Sequence, residues 1–168
     1  MPLWLIGMTG AGKTTAGLLL AERTESRFLD TDAMVESEAG VPISVIFGRE
    51  GEKGFRKRES AAIRHASGDE KGVVATGGGA VLIAANVRTM RRSGPVVWLD
   101  ASPATLVERI GDPAGRPLLE GEGIQARLAV MLDERRSAYE GAAHHVVVTD
   151  EAAAEEVALM VERIWNES

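Results

Sequence analysis

Short apolar runs alternate with longer segments of helical periodicity along this chain of 168 residues. The runs are rich in valine and leucine and are too short for buried helices, so they predict strands. They lie at 3–6, 27–29, 72–76, 96–99 and 145–148. Continuously apolar strands that alternate with helices are typical of a parallel sheet covered on both faces. The pattern therefore predicts an α/β fold in three layers, with a five-stranded parallel sheet flanked by helices.

The segments between these runs predict the helices, which lie at 13–23, 84–92, 124–140 and 151–165, with one further start at Ser102–Pro103. Residues 31–67 predict helix in pieces, interrupted at 40–42 and around 48–54 by glycine and proline. Residues 111–123 are also rich in glycine and proline, and they predict an irregular, mobile loop. Ligands of such sheets bind where the strands end. The motifs described below all lie at such an end or on the element that follows it.

Composition and charge narrow the class of protein. The length fits one compact domain spanning residues 1–168. A net charge of −6 argues against a nucleic-acid partner, and no apolar stretch approaches the roughly 18 residues of a membrane helix. The chain has no cysteine and its start lacks the basic region of a secretory signal, so we expect a cytoplasmic protein and a monomer. The adjacent His144 and His145 are a poor basis for a zinc site.

A phosphate-binding motif follows the first predicted strand. Gly7–Thr14 is a complete GxxxxGK[ST] pattern between a strand and a helix. Its glycines let the backbone curl so that consecutive N–H groups point at phosphate oxygens, beside the positive end of the helix. Lys13 is expected to reach the β- and γ-phosphates of ATP, and Thr14 to ligate Mg²⁺. The predicted nucleotide contacts, for which the alternative is a ligand-free glycine turn, are Gly10, Ala11, Gly12, Lys13, Thr14 and Thr15.

Two aspartates stand where the second predicted strand ends, at Asp30 and Asp32. For either of them the alternative is a simple N-cap of the following helix. Facing a triphosphate, the pair can divide the work between them. One carboxylate can help to hold Mg²⁺ through its waters, while the other orients an acceptor hydroxyl and takes its proton.

An ion pair and a run of glycines predict the other side of an acceptor site. Arg56 and Glu59 are three residues apart and share one face of a predicted helix, where a surface ion pair is the alternative. Gly77–Gly79 ends the third predicted strand. Glycines there bare the backbone to a ligand, unless they form only a flexible turn.

Further arginines come later in the chain. Arg116 lies in the predicted loop, from which it can close over the phosphates and neutralise charge during phosphoryl transfer. Arg135 and Arg136 lie late in a long helix, and one of them can face inward while exposure is the default for each.

Taken together, these segments resemble the shikimate kinase family from Gly7 to about Val148. The P-loop alone is shared by many families, whereas the Phe55–Glu59 segment joined to the triple glycine is far more selective. The matching segments are the P-loop, Leu29–Asp32, Ile46–Phe47 with Gly51–Glu52, Phe55–Arg56 with Glu59, Gly77–Val81, Arg116–Leu119, and Arg135 four residues before Tyr139. The resemblance implies a nucleoside monophosphate kinase-like arrangement, an acceptor-binding region at about 31–60 and a lid at about 111–123.

The resemblance also implies roles for individual residues. Asp30 matches the position that serves Mg²⁺, and Asp32 the position that contacts the shikimate hydroxyls and is the favoured base. Arg56 and Arg135 match the two arginines that grip the shikimate carboxylate. Both suit that task, because guanidinium groups bind carboxylates in a bidentate manner.

The remaining implied contacts surround these groups. Glu59 matches a residue that holds the substrate arginine in place. Gly78 and Gly79 match backbone contacts to the ring hydroxyls, next to Gly77. The other matches are Phe47 and Phe55 as apolar walls of the acceptor pocket, Arg116 as the lid arginine, and Arg109 as an arginine near adenine. Residues 149–154 depart from the family pattern, in which a basic residue and a proline often follow the fifth strand.

The expected reaction is ATP plus shikimate giving ADP plus shikimate 3-phosphate with Mg²⁺, a step of aromatic amino-acid biosynthesis. Another small-molecule P-loop kinase, such as gluconate kinase, is the nearest alternative, and a nucleoside monophosphate kinase is a weaker one. From a different class, a non-catalytic ATP-binding regulatory module is a further alternative. Such a module has no need of Asp32 or of a lid arginine.

Overall fold

The computed structural model describes residues 1–111 and 123–168. Five strands form one parallel sheet: β1 (Leu3–Ile6), β2 (Arg27–Asp30), β3 (Gly72–Ala75), β4 (Val96–Asp100) and β5 (His145–Val148). Their order in the sheet is β2-β3-β1-β4-β5, and each neighbouring pair is parallel. The predicted α/β class and five-stranded sheet are confirmed. The order places the carboxyl ends of β2, β3 and β1 side by side, so the segments after them meet at one edge.

Seven helices are described: α1 (Lys13–Arg23), α2 (Thr31–Ala39), α3 (Ile43–Ala66), α4 (Ala84–Ser93), α5 (Pro103–Ile110), α6 (Ile124–Ala142) and α7 (Ala154–Asn166). A short 3-10 turn at Ala80–Leu82 was not predicted. The predicted start of α7 at residue 151 is wrong by three residues. The Glu156 carboxylate accepts a hydrogen bond from the Ala153 N–H at 2.9 Å, and this local contact fixes the later start.

Two glycines interrupt the helices between β2 and β3. Gly40 ends α2 with φ 68°, and Gly51 bends α3 with φ 67° and ψ −177°. Both interruptions lie within the predicted breaks. Arg58 fixes the geometry of the bend, because its guanidinium donates to Glu50 at 2.9 and 3.1 Å and to Glu38 at 3.1 Å. One side chain thereby connects α2 to both parts of α3.

The buried apolar side chains form two clusters. The larger cluster contains the inner strands and the helix faces that pack against them. The smaller one lies between α2 and α3 and consists of Val35, Ile46, Phe55 and Ala62. The segment that contains the predicted acceptor-binding region therefore has an apolar core of its own.

Within residues 1–111 and 123–168, no helix combines the length and the apolar character needed to cross a bilayer.

We predict that Gly94→Ala destabilises the protein by about 1–3 kcal/mol, as overpacking of a tight site does. Gly94 is extended, so its backbone accepts any residue, but a Cβ there would overlap the carbonyl oxygen of Pro2. This contact lies where β1 and β4 begin, next to the hydrogen bond from the Trp4 N–H to the Pro95 carbonyl. Urea denaturation followed by circular dichroism measures the loss.

The matched control is Gly141→Ala. Gly141 is helical in α6, and nothing lies within 4 Å of a Cβ added to it. The same chemical change should therefore stabilise the protein by about 0.4–1 kcal/mol, because alanine reduces the entropy of the unfolded chain. Equal stability of the Gly94→Ala variant and the wild type would contradict the packing argument.

Candidate active site

The phosphate-binding loop joins β1 to α1 through glycines in left-handed or related conformations. Gly7, Gly10 and Gly12 have φ values of 141°, 86° and 93°. At Gly7 a side chain is excluded twice over, by this φ and because a Cβ would overlap the Leu99 carbonyl oxygen of β4. The tight turn therefore depends on packing against the sheet. It leads directly into the N-terminus of α1 at Lys13, where backbone N–H groups favour anions.

A cavity of about 650 Å³ opens along this loop. Its lining joins the loop to the ends of β2, β3 and β5. The predicted site residues in the lining are Gly10, Ala11, Gly12, Lys13, Thr14, Thr15, Asp30, Asp32, Gly77, Gly78 and Arg109. The buried Lys13 ammonium donates to the Gly7 and Met8 carbonyls, at 2.8 Å each, so its charge lies within the loop.

Asp30 and Thr14 are brought together beside the loop. The Asp30 Oδ1 accepts from the backbone N–H groups of Asp32 and Ala33, so Asp30 is the N-cap of α2. The Asp30 Oδ2 accepts from the Thr14 hydroxyl at 3.1 Å. Asp30 therefore acts as a cap with one oxygen and keeps the other beside the predicted metal ligand. The two hypotheses for this aspartate are compatible.

These oxygens fit a magnesium ion. The described residues contain no group of three or more His, Cys, Asp or Glu side chains that could enclose a metal. Mg²⁺ is usually held by one or two protein oxygens, with phosphates and water as its other ligands. A hydroxyl and a carboxylate on the wall of a phosphate-binding cavity are donors of that kind.

Asp32 and Glu59 approach each other across Gly77. The Asp32 Oδ1 and the Glu59 Oε1 are buried, and neither has a hydrogen-bond partner among the described residues. A Cβ at Gly77 would lie 2.7 Å from the first oxygen and 2.5 Å from the second, which only glycine avoids. Of the two, Asp32 also lines the cavity, so its acceptor oxygen is suited to the hydroxyl group of a ligand.

The pKa of Asp32 reflects this setting. Burial and the nearby carboxylates of Glu59 and Asp30 raise the pKa of Asp32 to about 7. The cations of Lys13 and Arg56 act in the opposite direction. Burial likewise raises the pKa of Glu59, against the opposing effect of Arg56.

Arg56 connects the carboxylate of Glu59 to the glycine run. Its guanidinium pairs with the fully buried Glu59 at 2.9 Å and with the exposed Glu52 at 3.1 Å. Burial of Glu59 excludes the surface ion pair that the spacing also allowed. A Cβ at Gly79 would overlap the Arg56 guanidinium, which places this cation directly against the backbone of the third glycine.

The two predicted aromatic walls lie together. The rings of Phe47 and Phe55 are 4.9 Å apart, and the Arg56 guanidinium lies 5.2 Å from the centre of the Phe55 ring. Phe55 belongs to the small apolar cluster between α2 and α3, and Phe47 packs against it. Through Phe55, the small apolar cluster thus packs against the Arg56 guanidinium.

Arg135, rather than Arg136, faces the site. The Arg135 Nη1 lies 3.6 Å from a Cβ placed on Gly78. The Arg136 side chain instead reaches Asp100 at 3.8 Å and lies 5.7 Å from the centre of the Trp98 ring. The sequence allowed either arginine to turn inward, and the helix phase selects the first.

The cavity end that was predicted to hold adenine is built around Arg109. Its guanidinium donates to the Thr149 hydroxyl at 2.9 Å and also to the Thr149 carbonyl. Thr149 is buried, and its N–H donates to the Asp100 carbonyl at 2.8 Å. The apolar lining beside this pair comes from Ala152, Ala154 and Val157. Residues 149–154, which depart from the family pattern, therefore contribute small side chains to this wall.

Arg116 and the greater part of the predicted lid, residues 112–122, lie outside the described residues.

Sequence reasoning missed two buried threonines, Thr149 in the cavity wall and Thr31 in contact with the glycine run. The buried Thr31 hydroxyl accepts from the Gly77 N–H at 3.1 Å, which fixes the start of the glycine run. Its position between the two aspartates carried no separate signal. Thr149, by contrast, follows β5 directly, and the rule that ligands bind at strand ends would have identified it.

We predict that Glu59→Ala lowers the free energy of unfolding by about 3–5 kcal/mol, the usual cost of removing one partner from a buried ion pair. The control, Glu52→Ala, removes the other partner of the same guanidinium, which is 54% exposed. Its cost should be at most about 1 kcal/mol. Urea denaturation measures both variants, and equal losses would show that Glu59 does not have the role of buried partner.

Comparison with known proteins gives a consistent result. A family model described as shikimate kinase matches residues 9–165. A shikimate kinase of Symbiobacterium thermophilum is 44% identical over 159 residues, which cover 94% of this chain and 91% of that protein.

Solved structures agree with the sequence relatives. The structure of a shikimate kinase from Acinetobacter baumannii in complex with shikimate has a TM-score of 0.95 and 35% identity, covering 99% of this chain and 93% of that chain. A gluconokinase from Sinorhizobium meliloti has a TM-score of 0.60 and 20% identity, covering 99% and 94%. At that identity the second likeness concerns the fold alone.

Proposed function

The chain belongs to the shikimate kinase family, and we propose that it transfers the terminal phosphoryl group of ATP to a hydroxyl of shikimate. The products are ADP and shikimate 3-phosphate. One observation carries this proposal: two arginines and a buried carboxylate converge on the glycine run beside the phosphate-binding loop. These residues are Arg56, Arg135 and Asp32. Together they supply cations for a carboxylate and an acceptor for a hydroxyl in one place.

The nucleotide occupies the long cavity in this proposal. Backbone N–H groups of residues 10–15 surround the phosphates, and Lys13 supplies a positive charge among them. Arg109 and the small side chains near Thr149 lie at the adenine end. Thr14, and Asp30 through water, would hold a Mg²⁺ ion, which would supply positive charge to the phosphates.

The acceptor binds between α3, α6 and the glycine run. The acceptor-binding region at about residues 31–60 supplies the α3 side of this site. Arg56 and Arg135 grip its carboxylate, and Glu59 holds Arg56. The ring hydroxyls meet Asp32 and the backbone of Gly77, Gly78 and Gly79, while Phe47 and Phe55 form the apolar wall.

Phosphoryl transfer follows from this placement. The acceptor hydroxyl loses its proton to Asp32 as its oxygen bonds to the γ-phosphorus, and the bond to the β–γ bridging oxygen breaks. Lys13 stabilises the charge that develops on the phosphates, and Arg116 does so from a lid at about 111–123. Positioning and preorganised charge supply most of the rate. We further propose that the protein acts as a cytoplasmic monomer.

Two alternative functions remain to be compared, a gluconate kinase and a regulatory ATP-binding module that has no acceptor. A gluconate kinase shares the phosphate-binding loop and the fold, but the solved gluconokinase is only 20% identical. A regulatory ATP-binding module has no use for a buried carboxylate with a free oxygen at the end of β2. The Phe55–Glu59 segment together with Gly77–Gly79, and the 44% identical shikimate kinase, favour shikimate over gluconate. The presence of Asp32 weighs against the regulatory module.

A coupled ADP-release assay against shikimate, gluconate and nucleoside monophosphates tests the proposal. We expect turnover that requires shikimate and is negligible with the other acceptors. Turnover on gluconate or on a nucleotide would assign a different kinase. ATP binding without turnover on any acceptor would support the regulatory module.

We predict that Asp32→Asn lowers kcat by about 10²–10⁴-fold, since general-base catalysis contributes that much. Affinity for ATP, measured by titration calorimetry, should change far less, because the phosphate contacts come from the loop. Asp133→Asn, an exposed carboxylate on α6, is the control and should leave both values unchanged. Near-normal turnover of the first variant would remove Asp32 from the role of base.

A further inference from the structure

Tyr139 lies where α6 meets the glycines that follow β3. Its side chain is fully buried. The hydroxyl donates to the Gly78 carbonyl oxygen at 2.5 Å. The Arg135 guanidinium, one helical turn earlier on α6, lies near the same glycine, since its Nη1 is 3.6 Å from a Cβ placed on Gly78.

This contact fixes a peptide plane in the glycine run. The Gly78 carbonyl and the Gly79 N–H belong to one planar trans peptide, in which they point in opposite directions. Since the carbonyl points at Tyr139, the Gly79 N–H points away from it. Gly79 itself lies against the Arg56 guanidinium. The orientation of this backbone donor is therefore set from the far side of the peptide.

Two side-chain hydroxyls hold the glycine run, in addition to the hydrogen bonds that the Gly77 and Gly79 carbonyls accept from the Ala80 and Leu82 N–H groups. The Thr31 hydroxyl accepts from the Gly77 N–H at 3.1 Å, and the Tyr139 hydroxyl holds the next carbonyl. Glycines have the widest choice of backbone conformations and contribute no side-chain contacts of their own. Such external hydrogen bonds are thus what restrain the peptides of this segment.

The position of the hydroxyl is in turn set by the sheet. The Tyr139 ring stacks on Trp98, with centroids 5.4 Å apart and an angle of 17° between the planes. Trp98 is in β4 and pairs with Ile6, the residue before the phosphate-binding loop. Burial raises the pKa of Tyr139 to about 12, so the hydroxyl keeps its proton at neutral pH. It is a fixed donor on a rigid support.

We propose that Tyr139 is a positioning residue for the acceptor. One buried hydroxyl holds the Gly78–Gly79 peptide beside the Arg135 guanidinium, and so it sets the spacing between the carboxylate-binding group and the hydroxyl-binding backbone. This role rests on the proposed function, in which shikimate presents a carboxylate and ring hydroxyls to these groups. Loss of the hydroxyl therefore releases the Gly78–Gly79 peptide beside Arg135, where shikimate binds in the proposed function, and leaves the phosphate-binding loop in place.

Tyr139→Phe tests the proposal, because it keeps the buried ring and its stacking and removes only the hydroxyl. Steady-state kinetics should show a KM for shikimate raised by about 10-fold, the upper end of what one neutral hydrogen bond contributes. The KM for ATP should stay within about twofold of the wild type. An unchanged KM for shikimate in a folded variant overturns the role of Tyr139.

Ser93→Ala is the matched control. It removes another hydroxyl with two hydrogen-bonding roles, which accepts from the Trp4 indole at 2.9 Å and donates to the backbone of α4. Its site is at the opposite end of β1 from the phosphate-binding loop. The midpoint temperature of thermal unfolding should fall in both variants, whereas only Tyr139→Phe should change the KM for shikimate. A rise of that KM in both variants would assign the effect to general loosening and overturn the proposal.

A double-mutant cycle with Arg135→Ala completes the test. Because Tyr139 holds the peptide beside Arg135, the two changes together should raise the KM for shikimate less than the product of the separate effects. A fully multiplicative result would overturn the connection. Wild-type turnover with shikimate is measured first: its absence overturns the proposed function, whereas turnover with independent effects overturns only the role of Tyr139.

Discussion

The site depends on the parallel pairing of β3 between β1 and β2. Ala75 lies opposite Leu5 in one neighbour and opposite Asp30 in the other. This register brings the phosphate-binding loop, the two aspartates and the glycine run to the same height at one sheet edge. A slip of one residue would turn every side chain of β3 to the other face. The hydrogen bonds from the Thr76 N–H to the Leu5 carbonyl and from the Gly77 N–H to the Thr31 hydroxyl, 3.1 Å each, hold the register where the strand ends.

Around this edge, the buried charges of Lys13 and Glu59 are tolerated because each has hydrogen-bond partners in the protein. Lys13 is satisfied by loop carbonyls, and Glu59 by Arg56. The remaining free oxygens on Asp32 and Glu59 have no such partner in the described residues and are costly to bury. In the proposed function, a hydroxyl of the acceptor supplies a partner for the Asp32 oxygen, because Asp32 lines the cavity.

The sequence predicted most of the local structure and part of the site. The strands, the phosphate-binding loop and the breaks at Gly40 and Gly51 follow from apolar runs and from glycine, which act over a few residues. The order of strands, the contact between Thr31 and Gly77 and the link from Arg58 to Glu38 depend on packing between distant segments. Periodicity alone also left Arg135 and Arg136 equivalent, since their different surroundings come from neighbours such as Trp98.

The two apolar clusters have a consequence for how such a protein changes over generations. The small cluster of Val35, Ile46, Phe55 and Ala62 is packed separately from the sheet, and Met34 touches both clusters. Substitutions in the small cluster can reshape the wall behind Phe47 and Arg56. The larger cluster, which includes Met8 and Ala11 of the phosphate-binding loop, keeps its packing. Selection can therefore change which substrate accepts the phosphoryl group in small steps, while the phosphate-binding loop and its packing are inherited unchanged.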